Sequence, residues 1–245
     1  MNPREMAALF QASLQLTRPP VAVRHAVGVG ESGRRLTACE ALVRASAGET
    51  IVLSARSLCC ALGPAQLGLI ELATEADRKA LERSLTPLEQ RTCSVVAEPA
   101  TPTLTAPFPA CQGQAVVVEP LAGVATPPEL VIFVCTLEQA TQLAAWSAAI
   151  PGGGGKIAME GTTCHRAIAL PLATGSLSIT LMSRLTREVR GYAPDEILVT
   201  VPYAQCLAMA NAGHLARRTP TATVQVDATP GETLAPPPKA PGSPS

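Results

Sequence analysis

AVVVEPL at residues 115–121 and LVIFVCT at residues 130–136 are the two stretches that decide the fold. Each is short, apolar and rich in β-branched residues, which is typical of a strand buried inside a sheet. Further runs with strand character lie on either side of them, at residues 21–27, 50–55, 156–160, 176–182 and 196–201. The sequence therefore predicts a central sheet.

Segments with helical spacing of apolar residues alternate with these strands. We predict helices over residues 3–15, 37–47, 64–73, 75–85, 138–149, 162–172 and 202–214. Alternation of strands and helices favours βα units and a buried sheet. We expect a fold of the α/β or α+β class, with a central mixed sheet and helices packed on it.

One order of features occurs twice along the chain. Cys39 opens an apolar helical segment that is followed by Gly48 and a strand, and Cys164 opens another that is followed by Gly175 and a strand. The repetition predicts two pseudo-equivalent halves related by a pseudo-twofold axis. Chance recurrence of a short pattern is the alternative, because the two segments share few identical residues.

Length and composition indicate one domain followed by a tail. The chain has 245 residues, of which 47% are hydrophobic and only 2% aromatic, so we expect a core of Ala, Leu, Val and Ile. All the predicted strands and helices fall within residues 1–216. Residues 217–245 are rich in Pro, Thr and Ala, which predicts a largely disordered tail.

The charge balance argues against two classes of partner. Nineteen basic residues face nineteen acidic ones, so the formal net charge is zero. A nucleic-acid-binding surface needs a basic excess, and so does a polybasic membrane anchor. The sequence has no secretory signal pattern and no apolar run of the roughly 18 residues that span a bilayer. We expect a cytoplasmic protein, and its oligomeric state stays open.

Cysteine is the residue type most suggestive of a site. Eight cysteines are present, and Cys59 and Cys60 adjoin just before the Gly63-Pro64 turn. No Cys-x-x-Cys motif occurs, so a zinc ribbon, a ferredoxin-type run and a thioredoxin motif are not indicated. In a cytoplasmic protein the default state of these thiols is reduced.

Some of these thiols fall at predicted helix starts, where free N–H groups and the helix dipole lower a thiol pKa. Cys39, Cys164 and either Cys59 or Cys60 occupy such positions. If they converge, three thiolates form a candidate site for an iron–sulfur cluster or another thiolate-bound metal. The alternative is that all four are small core residues and no cofactor binds. The remaining cysteines we interpret mainly as core residues: Cys93, Cys111, Cys135 and Cys206.

Histidines and arginines offer weaker candidates. His165 follows Cys164 directly and would point about a hundred degrees away from it on a helix, so we interpret it as a surface residue, with a second ligand of the thiol site as the alternative. His25 and His214 we interpret as solvated and as a helix-end cation, respectively. Arg187, within a basic cluster of three arginines, is a candidate binder of a small anionic ligand through forked hydrogen bonds. A solvated turn is the alternative for this cluster.

Several dispersed motifs resemble the domain of unknown function 169 family, which occurs in bacteria and archaea. The resemblance covers about residues 14–213. Its motifs here are Pro20-Val21-Ala22-Val23, Cys39 with Ala41-Leu42-Val43-Arg44-Ala45, Gly48-Glu49, Cys60-Ala61-Leu62-Gly63, Leu67-Gly68-Leu69, Met159-Glu160-Gly161-Thr162-Thr163-Cys164, Arg187 and Pro194-Asp195-Glu196.

The resemblance implies family cysteines at the positions of Cys39, Cys59 or Cys60, and Cys164. It also implies a further Gly-Cys before Arg187, where this chain has Met182-Ser183. A fourth thiolate is therefore missing or replaced. This departure argues against a fully cysteine-ligated cluster and leaves a three-thiolate site or no site.

Three functional hypotheses follow. The first is a metal- or iron–sulfur-binding protein with a redox or small-molecule role. The second is a metal-free module that binds a small molecule under the glycine-rich loop at residues 152–155. The third is a thiol-dependent enzyme, which the lack of a well-placed histidine disfavours. The sequence does not decide whether the protein is an enzyme.

Overall fold

The two apolar runs form two strands of one sheet, with a third strand between them, in the computed structural model, which describes residues 1–30, 33–72, 74–84, 115–158, 163–182 and 184–212. The strands are β1 (Val21–Ala26), β2 (Ile51–Ser54), β3 (Ala115–Pro120), β4 (Leu130–Cys135), β5 (Gly155–Ala158), β6 (Leu177–Thr180) and β7 (Ile197–Pro202). The α-helices are α1 (Pro3–Leu14), α2 (Ala38–Ser46), α3 (Gly63–Gln66), α4 (Glu75–Ser84), α5 (Leu137–Ala148), α6 (Leu170–Thr174), α7 (Arg184–Arg190) and α8 (Tyr203–Asn211).

The seven strands lie in the order β2-β3-β1-β4-β7-β6-β5. Every neighbouring pair is antiparallel except β5 and β6, which are parallel. The predicted central mixed sheet with helices packed on it is confirmed. Because antiparallel pairs dominate, the fold is of the α+β class rather than a series of parallel βα units.

Strand β4 lies at the centre of the sheet and is buried on both faces. Leu130, Ile132 and Val134 pack on the face that carries α2, and we call this the α2 face. The intervening residues Val131 and Phe133 pack on the opposite face, against α1, α5 and α8. Alternate side chains therefore serve two separate cores, which explains why the sequence of β4 is apolar at every position.

Two stretches differ from the predicted helices. The helix expected at residues 64–73 is limited to Gly63–Gln66, and Gly68 then takes a left-handed conformation with φ of 65°. The backbone at Leu67 is instead held by His25, whose Nε2 lies 2.7 Å from the Leu67 carbonyl oxygen. The basic cluster, for which a solvated turn was the alternative, lies on the helix Arg184–Arg190, which packs on α2.

The two halves of the sheet arrange three of their strands in the same order relative to the chain. The strands β2-β3-β1 adjoin in the first half, and β6-β7-β4 adjoin in the second. The segment after Cys39 leads into β2, and the segment after Cys164 leads into β6. The pseudo-twofold relation between the halves stays a prediction.

The predicted boundary between domain and tail falls outside the described residues, which end at 212. The division into a domain at 1–216 and a tail at 217–245 therefore stays a prediction. Within the described ranges, no helix has both the length and the apolar character that crossing a bilayer requires.

Candidate functional site: three thiols at the start of α2

A backbone bridge brings the Cys59-Cys60 pair to the start of α2. Leu36 and Leu58 form an isolated parallel β-bridge. The Leu36 N–H donates to the Ser57 carbonyl at 3.0 Å, and the Cys59 N–H donates to the Leu36 carbonyl at 2.9 Å. Because α2 begins two residues after Leu36, this bridge places Cys60 beside the free N–H groups of that helix.

The Cys60 sulfur uses these N–H groups. It accepts hydrogen bonds from the backbone N–H groups of Ala38, which is the first residue of α2, and of Gly63. A β-carbon placed on Gly63 would lie 2.6 Å from that sulfur, which is closer than any real contact. The lack of a side chain at Gly63 is therefore what allows the sulfur to approach the Gly63 N–H.

Cys39 is held by the first turn of α2 and by a distant tyrosine. Thr37 caps the helix, accepting a hydrogen bond at 3.2 Å from the Glu40 N–H. The Tyr192 hydroxyl, in a buried ring, donates to the Cys39 carbonyl oxygen at 2.8 Å. The Thr163 side chain hydrogen-bonds to the Cys39 sulfur. The start of this helix at residue 37 was predicted from sequence, and the two distant contacts were not.

Cys164 lies in a helical run over residues 163–174 that we call the Cys164 helix. Its middle, His165–Ala169, is a π-helical turn, and Pro171 follows in the next turn. Proline has no N–H, so the usual helical partner of the Ala167 carbonyl is missing. The Thr200 hydroxyl on β7 donates to that carbonyl at 2.7 Å. The sheet therefore supports the turn that positions Cys164.

The three segments bring Cys39, Cys60 and Cys164 together. The Cys164 side chain hydrogen-bonds with those of both Cys39 and Cys60. Since a thiol has a single proton, it donates to one of these sulfurs at a time. Cys59 is exposed, so of the adjacent pair Cys60 is the member that joins the cluster. We call Cys39, Cys60 and Cys164 the thiol cluster.

Hydrogen bonding divides the protons unequally within the thiol cluster. The hydrogen bond from Cys164 lowers the pKa of Cys60 to about 7, against the opposing effect of burial. The same donor lowers the pKa of Cys39, which burial and the neighbouring Cys60 oppose and Arg190 assists. The pKa of Cys164 is raised well above its usual value because its protonated form makes these bonds. The cluster therefore favours thiolate at Cys60 with a proton on Cys164.

Two arginine side chains, Arg190 and Arg166, place positive charge near Cys39. Arg190, half-buried on α7, lies 3.5 Å from Glu40 and favours the Cys39 thiolate electrostatically. Arg166, on the Cys164 helix, is buried and interacts with Cys39. Arg187 donates to the Met182 carbonyl oxygen at 2.8 Å. Binding of an anionic ligand by Arg187 stays a prediction.

Two of the interpretations made for histidine were wrong. His165 is buried rather than at the surface, and burial lowers its pKa. The His25 side chain is only 5% exposed, with Nδ1 3.5 Å from Glu129 Oε1. His25 thus holds the loop after α3 instead of facing solvent. His214 lies outside the described residues.

The glycine-rich loop packs tightly against α5. The Gly154 N–H donates to Ser147 Oγ at 3.1 Å, and that hydroxyl donates to the Gly154 carbonyl at 3.0 Å. A β-carbon on Gly153 would lie 1.7 Å from the Ser147 carbonyl oxygen. Close backbone approach therefore explains these glycines, and closure over a ligand is not needed to account for them.

Among the described residues, no group of three or more His, Cys, Asp or Glu side chains is arranged to hold a metal ion. The thiol cluster nevertheless supplies three sulfurs from separate segments, which is a donor set suited to soft metals. Of the other cysteines, Cys135 and Cys206 are buried, as expected for core residues. Cys93 and Cys111 lie outside the described residues.

Three contributors to the site were missed by sequence reasoning: Thr163, Tyr192 and Thr200. Each acts across a long separation in sequence, so no local pattern indicates it. Gly63 carried a signal in its Gly-Pro turn, but the turn alone does not show that a sulfur approaches its N–H.

Comparison with known proteins gives a family and no function. No curated protein and no solved structure matches the chain significantly. The profile of the DUF169 family, described as uncharacterised ArCR proteins, matches residues 9–212 and thus spans the sheet and the whole thiol cluster. The chain therefore belongs to the domain of unknown function 169 family.

Proposed function

We propose that this protein carries out thiol–disulfide chemistry on small-molecule disulfides, with Cys60 as the attacking thiol. The observation that carries the proposal is the hydrogen bonding around the Cys60 sulfur. This sulfur accepts hydrogen bonds from the Cys164 side chain and from backbone N–H groups. A thiolate is the nucleophile in such exchange, and it attacks best when its pKa lies near the ambient pH. Cys60 is half-buried, which suits a small substrate.

The reaction has two steps. The Cys60 thiolate attacks one sulfur of the substrate disulfide, forming a mixed disulfide and releasing the other half as a thiolate that takes up a proton. Cys164, after losing its proton, then attacks the Cys60 sulfur and releases the second half as a thiol. The substrate gains two electrons and two protons, and the protein retains a Cys60–Cys164 disulfide. A histidine is not needed as the proton donor in this reaction, because Cys164 takes that role.

A direct test uses hydroxyethyl disulfide as the substrate probe and mercaptoethanol release as the readout. The reduced protein should release two equivalents of thiol rapidly. Cys60→Ser should abolish this release, and Cys164→Ser should stop at one equivalent, with a mixed disulfide on Cys60. Cys59→Ser is the matched control and should behave as the parent protein. Unchanged release by Cys60→Ser would refute the proposal.

A metal centre is the second candidate, and the convergence of three thiols favours it. Cys39, Cys60 and Cys164 would hold the group, and N–H donors to the Cys60 sulfur are of the kind that tune thiolate-bound metals. A bound iron–sulfur cluster would supply one-electron transfer. Protein purified without oxygen should then contain stoichiometric metal, lost in Cys164→Ser. Metal-free, colourless protein after reconstitution would exclude this candidate.

A small anionic group on the substrate is a finer part of the proposal. Arg187 has N–H donors beyond the one it directs at Met182, because a guanidinium carries five. An anionic disulfide should therefore react faster than hydroxyethyl disulfide, and Arg187→Gln should remove the difference.

We also infer a cytoplasmic location, since a cluster of three reduced thiols is maintained in a reducing compartment.

A further inference from the structure

The two-step reaction assigns no role to Cys39, the third member of the thiol cluster, and any role for it rests on the thiol–disulfide function proposed above. We propose that Cys39 takes over the disulfide from Cys60. The oxidised protein would then store a Cys39–Cys164 disulfide and return Cys60 as a free thiolate.

The arrangement of the thiol cluster carries this inference. Cys164 hydrogen-bonds with both other members, so it is the shared neighbour through which a disulfide can pass. Cys164 is only 6% exposed, and Cys39 is half-buried against the same core. Cys39 is fixed in the first turn of α2, with its carbonyl held by Tyr192. All three sulfurs are therefore positioned before any oxidation occurs.

The exchange step balances without any further oxidant. The Cys39 thiolate attacks the Cys164 sulfur of the Cys60–Cys164 disulfide. The Cys39–Cys164 bond forms, the Cys60–Cys164 bond breaks, and its electron pair leaves on the Cys60 sulfur. One disulfide is consumed and one is formed, so the redox state of the protein does not change.

The surroundings of Cys60 favour it as the leaving group. The departing thiolate is received by the backbone N–H groups of Ala38 and Gly63. The reverse attack by Cys60 on the Cys39–Cys164 disulfide would have to give up these hydrogen bonds. The disulfide therefore moves from the Cys60–Cys164 pair to the Cys39–Cys164 pair.

The test maps disulfides in the full-length chain carrying Cys59→Ser, which removes pairing between adjacent cysteines. The protein is treated with one equivalent of hydroxyethyl disulfide, blocked with N-ethylmaleimide and analysed by peptide mass spectrometry. The expected product has a Cys39–Cys164 disulfide and N-ethylmaleimide on Cys60. With Cys39→Ser added, the disulfide should instead join Cys60 and Cys164.

The outcomes separate the two proposals. A Cys60–Cys164 disulfide with N-ethylmaleimide on Cys39 in the Cys59→Ser chain would overturn the transfer and leave the proposed function intact. A protein that releases no mercaptoethanol and forms neither disulfide would overturn both. A second equivalent of hydroxyethyl disulfide should leave a mixed disulfide on Cys60, because its partner thiol is already consumed. If Cys60 carried neither that mixed disulfide nor N-ethylmaleimide, the result would also contradict the transfer.

Discussion

A β-carbon on Gly63 would lie 2.6 Å from the sulfur of Cys60. The φ angle of Gly63 is not positive, so backbone strain does not explain a glycine at this position. The close approach of the Cys60 sulfur explains the glycine instead, since that sulfur accepts a hydrogen bond from the Gly63 N–H. The glycine of this turn therefore contributes to the thiol cluster, because it allows a backbone N–H to hydrogen-bond to the Cys60 sulfur.

Gly63→Ala should destabilise the fold and weaken the Cys60 thiolate. The added methyl group must displace the Cys60 sulfur, and overpacking of this kind costs about 1–3 kcal/mol. Displacement also lengthens the hydrogen bond from the Gly63 N–H, so the pKa of Cys60 should rise. Urea denaturation measures the first effect, and the pH dependence of Cys60 alkylation measures the second.

The control for Gly63→Ala is the same substitution in a Cys60→Ala background. Without the sulfur, the new methyl group has no atom to displace, so most of the destabilisation should vanish. The two substitutions should thus show a coupling free energy of about 0.5–3 kcal/mol. Additive effects would show that the sulfur and the glycine do not constrain each other.

Thr200→Val should destabilise the protein more than Thr180→Val. Both side chains are fully buried on neighbouring strands. The Thr200 hydroxyl donates to the Ala167 carbonyl, and losing this buried hydrogen bond should cost about 0.5–1.5 kcal/mol. The Thr180 hydroxyl has no hydrogen-bond partner among the residues that the structure describes, so Thr180→Val should be neutral or stabilising. Equal unfolding free energies of the two variants would contradict this account of the Cys164 helix.

Tyr192→Phe should cost about 0.5–1.5 kcal/mol of stability, because it removes the hydrogen bond to the Cys39 carbonyl while keeping the buried ring. Burial and the nearby Cys39 and Cys164 raise the pKa of Tyr192, so its hydroxyl keeps the donated proton. Thermal unfolding measures the loss. Tyr203→Phe, at a ring outside the cluster, is the matched control and should have the smaller effect.

The stability of the protein should depend on pH through Cys60. Its folded pKa is lowered to about 7, and an unfolded thiol has a pKa of about 8.5. Between these values the unfolded chain binds more protons, so the thiolate contribution grows as pH rises and is lost as pH falls through about 7. The pKa of Cys164 is raised in the folded protein, so its contribution to stability is present at lower pH and is lost as pH rises above the pKa of the unfolded thiol.

Chemical denaturation at several pH values tests this dependence. The difference in unfolding free energy between the parent protein and Cys60→Ser should increase from about pH 6.5 to about pH 8.5. A difference that is flat over this window would show that the folded and unfolded states hold the Cys60 proton equally.

Local patterns were sufficient to predict most of the sheet and its longer helices. The runs that form β3 and β4 are apolar because both their faces are covered, and Thr37 marks the start of α2 through its cap. The helix α7 was missed because Arg184–Arg190 has little apolar periodicity of its own and depends on packing against α2.

The site was harder to predict because its decisive contacts are distant in sequence. Adjacent cysteines look alike in sequence, and only the bridge between Leu36 and Leu58 selects Cys60 over Cys59. The burial of His165 was missed because a π-helical turn rotates side chains away from the positions that ordinary helical spacing predicts.

The central claim is that Cys60 is held as a thiolate by the rest of the thiol cluster, and the pH dependence of its alkylation tests it most directly. Iodoacetamide labelling of the Cys59→Ser chain, followed at the peptide containing Cys60, should have its midpoint near pH 7. Adding Cys164→Ala removes the main hydrogen-bond donor to the Cys60 sulfur and should shift that midpoint upward. A midpoint near the ordinary thiol value of about 8.5, unmoved by Cys164→Ala, would contradict the account.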